Sequence, residues 1–365
     1  MKYKFPVYQP NLNGKEKKYV NECLDSTWIS SKGKFINQFE IKFSEFTGIK
    51  YSVAVSNGTV ALHIALLALG IGKEDEVIVP TFTYISSVNA INYTGAKPIF
   101  VDSDPLTWQI DTKAIEQKIS NKTKAIMAVH IYGHPCEMDE IMRISYKYKL
   151  KVVEDCAEAI GTLYKGKHVG SFGDISTFSF FGNKTITTGE GGMVCTNSKE
   201  LSDLVIKLKG QGLAKNREYY HDIIGYNYRM TNICAAIGCA QLERVGDILI
   251  NKKRIVQKYI DDIKNIPLEY HQAYGNINHS YWMFTVLVNS ESDRKKLRKH
   301  LSENGIDTRP TFHPVHTMPM YNSQETFEVA EDLGKRGINL PSYPDLSDND
   351  IKFITNKIRS YYNDF

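Results

Sequence analysis

One stretch decides the fold of this chain, and it runs Ser171-Phe172-Gly173-Asp174-Ile175-Ser176-Thr177-Phe178-Ser179-Phe180-Phe181-Gly182-Asn183-Lys184, continuing to Thr187-Thr188-Gly189-Glu190-Gly191-Gly192-Met193. Its aromatic and β-branched segment 177–181 predicts a buried strand that ends shortly before Lys184. A glycine-rich turn follows, and 193–196 predicts a return strand. Desolvation against such an aromatic wall lowers the pKa of an amine, and a neutral amine can attack a carbonyl. The alternative is a surface lysine in a turn, and residues upstream decide between the two.

Length and composition restrict the class of protein. With 365 residues the chain can form one large domain and a smaller one, and its 42% hydrophobic and 24% charged residues are ordinary for a globular protein. No apolar run is long enough to cross a bilayer, and the N-terminal segment has no apolar signal region. The formal charge of +4 gives no support for nucleic-acid binding. We therefore expect a cytoplasmic protein with neither a membrane nor a nucleic-acid partner.

The cysteines show no pattern typical of a metal site or a disulfide framework. Six are present, none of them in a CxxC pair: Cys23, Cys136, Cys156, Cys195, Cys234 and Cys239. We expect reduced thiols and no bound metal.

Strands and helices alternate through the first half of the chain. Helices are predicted at 60–69, 86–93 and 138–148, and apolar strands at 51–55, 76–80, 97–102, 124–130 and 151–155. This alternation favours an α/β fold with a mostly parallel sheet covered by helices on both faces. Ligands of such sheets bind at the carboxyl ends of the strands. The residues at or just past these ends are Asn57, Phe82, His130, Asp155 and Lys184.

The remaining segments predict helices around the large sheet and a second domain. Helices are predicted at 11–28, with Asn13 as N-cap, and at 35–46. A long helix is predicted at 247–263 and ends before Pro267. We predict a domain boundary at the start of this helix, with a large domain at 1–246 and a small α+β domain at 247–365. Within the small domain, strands are predicted near 281–288 and a helix at 294–304.

The turn 56–59 after the first strand is a candidate phosphate site. A strand, a turn of small residues and a helix N-terminus bring backbone N–H groups together with the positive end of the helix dipole. An ordinary helix N-cap is the alternative interpretation. The segment is neither a Walker A loop nor a GxGxxG fingerprint.

Pyridoxal 5′-phosphate needs a lysine amine, a carboxylate, a phosphate cradle and an aromatic face. The lysine holds the cofactor as a Schiff base, and the carboxylate keeps the pyridine nitrogen protonated. Lys184 and Asp155 suit these two roles, although Asp155 alone could be a helix N-cap. The other predicted cofactor contacts are Asn57, Gly58, Thr59 and Ser179 at the phosphate, Phe82 stacked on the ring, and Glu158 at the phenolic oxygen or merely in a first helical turn.

Several segments together resemble the fold-type I pyridoxal-phosphate family of nucleotide-sugar aminotransferases (DegT/DnrJ/EryC1/StrS-like), essentially from end to end. They are 56–59, 80–83, 154–159, 178–180, 188–192 and 225–230, together with Lys184. Segments 180–188 and 308–316 resemble a branch of the family that acts on GDP-linked sugars.

The resemblance implies an aspartate-aminotransferase-like fold and a homodimer with active sites at the interface, where Asn227 faces the phosphate of the other subunit's cofactor. It also implies L-glutamate as amino donor and GDP-4-keto-6-deoxy-D-mannose as acceptor, aminated at C4. UDP- or dTDP-linked sugars and amination at C3 remain alternatives. Polar residues that could contact the substrate are Lys215, Arg217, His221, Arg229, Arg309, His313 and His316.

Two other classes of function are less well supported by the sequence. A keto-sugar dehydratase on the same fold removes the C3 hydroxyl, but such relatives carry histidine where Lys184 stands. A non-catalytic regulator would need an appended interaction module, for which the chain has no spare length. The sequence therefore favours transamination, with Lys184 displaced by glutamate and then carrying the proton between the amino-acid α-carbon and the cofactor.

Overall fold

A computed structural model describes residues 3–273, 275–321 and 323–363 of the chain. Its α-helices, in chain order, are α1 (Glu16–Asp25), α2 (Lys34–Thr47), α3 (Gly58–Ala68), α4 (Ile85–Tyr93), α5 (Thr112–Ile115), α6 (Met138–Tyr148), α7 (Lys199–Lys209), α8 (Asn232–Leu242), α9 (Val245–Ile263), α10 (Glu291–Glu303), α11 (Glu328–Arg336) and α12 (Asp348–Asn363). None of the helices in these ranges has the length and apolar character needed to span a membrane.

The strands form one large sheet and two small ones. They are β1 (Tyr51–Val55), β2 (Glu76–Pro80), β3 (Lys97–Val101), β4 (Thr123–Val129), β5 (Lys151–Asp155), β6 (Leu163–Tyr164), β7 (Lys167–His168), β8 (Ile175–Ser179), β9 (Gly192–Thr196), β10 (Ile277–Asn278), β11 (Phe284–Leu287), β12 (Arg309–Pro310) and β13 (Gly337–Leu340). The large sheet has the order β1-β9-β8-β5-β4-β2-β3.

The large sheet is mostly parallel, as predicted. Strands β8, β5, β4, β2 and β3 pair in parallel, whereas β9 is antiparallel to both of its neighbours. Most positions of the central strands are buried on both faces, which favours the apolar residues that make up most of β2 and β4. The predicted α/β fold class is confirmed.

Helices cover both faces of this sheet, and two apolar clusters fill the space between the layers. Alternate residues of β1 enter different clusters: Val53 and Val55 face the side with α3, α4 and α7, and Ala54 faces the side with α2, α6 and α8. The aromatic residues Phe35, Phe39 and Phe43 lie on one face of α2, and all three are buried in the second cluster. The sheet is thus held between two helical layers, and its strand ends point to one edge.

The C-terminal part has its own core around the antiparallel sheet β11-β13-β12, packed by α9, α10 and α12. The N-terminal segment, which we assigned to the large domain, also contributes here. Phe5 forms a bridge with Ile306 and a ring contact with Phe353, and Asn11 donates a hydrogen bond to Asp345. The boundary between 246 and 247 stays a prediction, close to the start of α9.

The N-terminus of α1 differs from the predicted one. We expected Asn13 as N-cap, but the helix starts at Glu16 after Lys15. The Glu16 carboxylate instead turns back and accepts a hydrogen bond from the Gly14 N–H at 2.8 Å.

Candidate active site

A cavity of about 590 Å³ opens at the carboxyl ends of the central strands. Residues just after β1, β2 and β5, at the end of β8 and in the following turn all contribute to its lining. The polar side chains of the lining include Asn57, Thr59, Thr83, Ser86, Ser87, His130, Asp155, Glu158, Ser179, Asn183, Lys184 and Glu190. The sequence-based prediction that the strand ends converge is therefore correct for most of its members.

One end of the cavity is formed by the N-terminus of α3. Asn57 caps this helix, because its Oδ1 accepts a hydrogen bond from the Val60 N–H at 3.0 Å. The amides of Gly58 and Thr59 lie in the first turn, where helix geometry provides no carbonyl partner, and the helix dipole adds positive potential. The turn is therefore an N-cap, and the donors that it presents are suited to a phosphate.

Glycine at position 58 is required by a close approach. A Cβ built on Gly58 would lie 2.8 Å from the Cβ of Ser179 and 3.0 Å from its Oγ. The Ser179 hydroxyl is therefore next to the first turn of α3. The donor set of two amides and neighbouring hydroxyls fits a phosphate group.

Asp155 lies at the end of β5 with its carboxylate buried. Its Oδ2 accepts a hydrogen bond from the Ser87 hydroxyl at 2.8 Å, and its Oδ1 accepts one from the Ala157 N–H at 3.0 Å. Burial raises the pKa of Asp155, partly offset by these hydrogen bonds and by the charge of Lys184. A buried carboxylate at the wall of a cavity fits the role of partner to a protonated ring nitrogen.

Lys184 and Glu158 form the centre of the cavity. The Lys184 Nζ lies 3.3 Å from the Glu158 Oε1, and the side chains are only 11% and 7% exposed. The second oxygen of Glu158 accepts a hydrogen bond from the Tyr132 N–H at 2.8 Å. Burial raises the pKa of Glu158, and the charge of Lys184 opposes that rise. The predicted lysine is thus held in a nearly dry site beside a carboxylate.

An aromatic wall that the sequence analysis did not find closes this side of the cavity. The Lys184 Nζ lies 3.9 Å from the ring centroid of Trp282. Trp282 and Phe312 both line the cavity, and each stacks on the buried ring of Tyr132 at 6.1 and 5.5 Å between centroids. Trp282 and Phe312 are 98 and 128 positions away from Lys184 in the sequence, so local patterns gave no signal for them.

The structure contradicts the prediction that Phe82 stacks on the cofactor ring. Its side chain is 1% exposed, belongs to the apolar core and contacts Tyr132, and it is not among the lining residues. Tyr84, two positions later, lines the cavity instead and is 55% exposed. The loop after β2 turns the second aromatic residue, not the first, towards the ligand space.

The predicted substrate residues do not line this cavity. Lys215, His221 and His313 are exposed outside it, Lys215 pairs with Asp203, Arg217 contacts Tyr220, and Arg309 pairs with Asp307. Asn227, predicted to face the cofactor of the other subunit, is exposed outside the cavity as well. Arg229 is half-buried, and its Nε has no hydrogen-bond partner among the described residues. Their predicted roles stay predictions.

The structure also contradicts the prediction that His316 contacts the substrate. Its side chain is buried, and its Nδ1 lies 2.8 Å from the Thr81 hydroxyl. Its Nε2 lies 3.5 Å from Glu331. The imidazole therefore connects elements inside the fold and is not available to a substrate.

The buried group of His130, Glu154 and Cys156 has the residue types of a metal site. However, the Glu154 carboxylate already accepts hydrogen bonds from the amides of Gly170, Phe172 and Gly173 and pairs with His130 at 3.1 Å. These contacts fix the turn that precedes β8, which explains the group structurally.

Comparisons with known proteins agree with this site. The profile of the DegT/DnrJ/EryC1/StrS aminotransferase family matches residues 10–359. The chain is 60% identical to a GDP-perosamine synthase of Escherichia coli O157:H7 over the full length of both proteins. It is 49% identical to a GDP-perosamine synthase of Vibrio cholerae, covering 98% of this chain and 99% of that protein.

Solved structures show the same fold over the whole chain. The aminotransferase PseC of Helicobacter pylori, involved in pseudaminic acid biosynthesis, superposes with a TM-score of 0.94 at 26% identity, covering 99% of this chain and 100% of that one. A putative sugar aminotransferase of Streptococcus pneumoniae in its PLP form gives 0.94 at 27% identity, with 99% of each chain covered. The predicted fold and enzyme class are confirmed: the chain belongs to the DegT/DnrJ/EryC1/StrS aminotransferase family, whose cofactor is pyridoxal phosphate.

Proposed function

We propose that the chain transfers the amino group of L-glutamate to C4 of GDP-4-keto-6-deoxy-D-mannose, giving GDP-perosamine and 2-oxoglutarate. One observation supports the chemistry above all: a buried amine, Lys184, lies 3.3 Å from Glu158 in a cavity that also contains Asp155 and a helix N-terminus. These are the groups that hold pyridoxal phosphate and move protons beside it.

Each residue of the site has a distinct task in this reaction. When bound, pyridoxal phosphate supplies an electron sink for the carbanion formed at the substrate carbon. Asp155 keeps the ring nitrogen protonated, and the first turn of α3 with Ser179 binds the phosphate. Trp282 and Phe312 exclude water from the Lys184 amine.

Lys184 is the catalytic base and acid. With pyridoxal phosphate bound and glutamate in the site, the Lys184 amine would remove the proton from the amino-acid α-carbon and return it within the same site. The keto sugar enters after 2-oxoglutarate leaves, and the same amine moves a proton in the reverse sense. Because one site serves two substrates in turn, we expect ping-pong kinetics.

The identity of the sugar rests on the graded similarity to relatives. Three relatives named GDP-perosamine synthase are 60%, 49% and 47% identical to this chain. Relatives named for a dTDP-linked 3-amino sugar and a UDP-linked 3-amino sugar are 36% and 37% identical. This difference in sequence identity supports a GDP-linked substrate aminated at C4 over a dTDP- or UDP-linked substrate aminated at C3.

The proposal includes a cytoplasmic homodimer with active sites at its interface, in a pathway for O-antigen sugars. Phe181 lines the cavity and is nonetheless 48% exposed, and Ile224, near Asn227, is exposed as well. Exposed apolar side chains at these two positions suit contact with a second subunit. Asn227 then approaches the phosphate of the partner subunit's cofactor.

The six cysteines are free thiols, which suits a reducing compartment.

Product analysis tests the proposed reaction. The purified enzyme, loaded with cofactor, is incubated with L-[¹⁵N]glutamate and GDP-4-keto-6-deoxy-D-mannose, with the matching dTDP- and UDP-linked keto sugars in parallel. We expect ¹⁵N at C4 of the GDP sugar and much slower transfer to the others. Preferred amination of a dTDP or UDP sugar would overturn the substrate assignment, and a product lacking its C3 hydroxyl would identify a dehydratase.

A further inference from the structure

A buried lysine outside the cavity has an unusual environment. Lys252, in α9, is 0% exposed, and its Nζ donates hydrogen bonds to the carbonyl oxygens of Trp282 at 3.0 Å and Ser342 at 2.8 Å. It forms no ion pair with the carboxylates that the structure describes. Burial lowers the pKa of Lys252 to about 7. Burying an amine without a counter-charge opposes folding. A gain in stability therefore does not explain why a lysine occupies this buried position.

The contacts of Lys252 lead directly to the catalytic lysine. The residue whose carbonyl it binds, Trp282, places its ring 3.9 Å from the Lys184 Nζ. The Trp282 indole N–H donates a hydrogen bond to the Asn183 carbonyl at 2.7 Å. Trp282 is therefore fixed at its backbone by Lys252 and at its ring by the residue that precedes Lys184.

A second set of contacts closes a ring around the same residues. The Lys252 Nζ lies 5.4 Å from the ring centroid of Tyr8, whose hydroxyl donates a hydrogen bond to the backbone carbonyl of Lys184. The segment that carries Lys184 is thus held from one side by Tyr8 and from the other by Trp282. Lys252 therefore contacts both of the residues that hold this segment.

We propose that Lys252 is a positioning residue that holds the Trp282 ring over the Lys184 amine, and that the face of this ring stabilises the protonated amine during proton transfer. The inference rests on the proposed function, because it takes Lys184 as the proton carrier. In the step concerned, the amine lone pair of Lys184 takes the proton as the C–H bond of glutamate breaks, and the bond's electron pair stays with the substrate. A cation formed 3.9 Å from an indole face is favoured electrostatically.

A double-mutant cycle tests the coupling. Lys252→Met keeps the side-chain length but loses the donors, and Trp282→Leu loses the ring. The rate of the glutamate half-reaction, followed by the loss of the cofactor's visible band, should fall about tenfold in each single variant, with the glutamate KM within about twofold. The double variant should be no slower than Trp282→Leu alone, because Lys252 acts through Trp282. Losses that multiply to about a hundredfold would overturn the proposal.

Lys253→Met is the matched control, since Lys253 is the neighbouring residue and is exposed. It should leave the half-reaction unchanged, and a loss equal to that of Lys252→Met would contradict the proposal. Lys252→Gln retains two N–H donors, so its half-reaction should stay nearer to wild type than that of Lys252→Met. If Lys252→Met does not fold, Trp282→Leu keeps the proposal testable. Trp282→Leu leaves Lys252 and its hydrogen bonds intact, and a wild-type half-reaction in that variant would by itself refute the inference.

A readout independent of turnover uses ¹⁹F NMR of protein labelled with 5-fluorotryptophan. The chain has three tryptophans, Trp28, Trp108 and Trp282, and Trp→Phe variants assign their signals. In Lys252→Met the Trp282 signal should shift or broaden while the Trp28 signal stays, and an unmoved Trp282 signal would overturn the proposal. Because this experiment needs no sugar, its result stands even if the nucleotide-sugar assignment fails.

Discussion

At the scale of single residues, the environment of each ionisable group decides its role. Lys184 and Asp155 were predicted from the sequence because Asp155 ends one strand of the central sheet and Lys184 follows another, and such strand ends converge by geometry alone. The stacking residue could not be chosen in the same way. Phe82 and Tyr84 both follow β2, and only the path of the loop decides which of them faces the cavity.

This difference gives a prediction for the aromatic pair. Tyr84→Ala should weaken the binding of pyridoxal phosphate by the apoenzyme about tenfold, because a ring that faces the cavity is lost. Phe82→Leu should leave that affinity within about twofold and lower the free energy of unfolding by about 1 kcal/mol, because a core side chain is changed. Cofactor titration and urea unfolding measure the two quantities. The reverse pattern would restore Phe82 as the stacking residue.

Asp155 gives a prediction in which stability and activity move in opposite directions. Burial raises the pKa of this carboxyl, so the folded protein binds its proton more tightly than the unfolded chain does. Ionised Asp155 therefore lowers stability, and this loss develops as the pH rises from the unfolded pKa through the folded one and persists above it. Asp155→Asn apoenzyme should unfold at higher urea concentration than wild-type apoenzyme at pH 8, with turnover reduced about a hundredfold or more.

The pH dependence supplies the control for that experiment. At a pH below both pKa values Asp155 is protonated in either state, so the stability difference between wild type and Asp155→Asn should shrink. A wild-type apoenzyme that is more stable than the variant at pH 8, or a variant with near-normal turnover, would contradict the role assigned to this carboxylate.

At the scale of elements, the sequence predicted the central strands better than the rest. The predicted bounds of β1, β2, β5 and α6 agree with the structure, because the strands contain β-branched residues and end before turns, and α6 has an amphipathic pattern. The strand predicted at 177–181 lies two residues earlier, at Ile175–Ser179, since pairing with β5 and β9 sets its limits. The helix α12 and strand β13 carried no prediction, and the aromatic wall depends on long-range contacts that no local pattern contains.

The N-terminus of α3 gives the element-scale prediction. Gly58→Ala should favour the helix by propensity, yet its Cβ meets Ser179 at 2.8 Å and displaces the first turn. We expect pyridoxal phosphate to bind the apoenzyme about tenfold more weakly. Gly246→Ala, in the first turn of α9 with no atom within 4 Å of the added Cβ, should bind the cofactor normally. Equal affinities for both variants would contradict a phosphate site at α3.

At the scale of the whole molecule, the proposed dimer predicts complementation between two inactive variants. Lys184→Ala lacks the catalytic amine, and Asn227→Ala lacks the residue that we assign to the partner's phosphate site. In a mixed dimer, one site combines an intact Lys184 from one copy with an intact Asn227 from the other. Random mixing should therefore restore about one quarter of the wild-type sites.

Activity of the separate and mixed proteins, after unfolding and refolding together, measures this effect. Asn227→Ala alone should be strongly impaired at low cofactor concentration. If Asn227 served its own subunit's site, mixing would restore nothing, because every site with an intact Lys184 would also carry the Asn227→Ala change.

The absorbance spectrum of the cofactor-loaded protein tests the proposed reaction in one experiment. In this reaction Lys184 is the catalytic residue, glutamate is the amino donor and a GDP-linked keto sugar is the acceptor. We predict a visible cofactor band that L-glutamate bleaches and that GDP-4-keto-6-deoxy-D-mannose then restores, and we predict that Lys184→Ala shows no glutamate-dependent bleaching. Bleaching without recovery would contradict the sugar assignment, and full bleaching and recovery in Lys184→Ala would contradict the role of Lys184 itself.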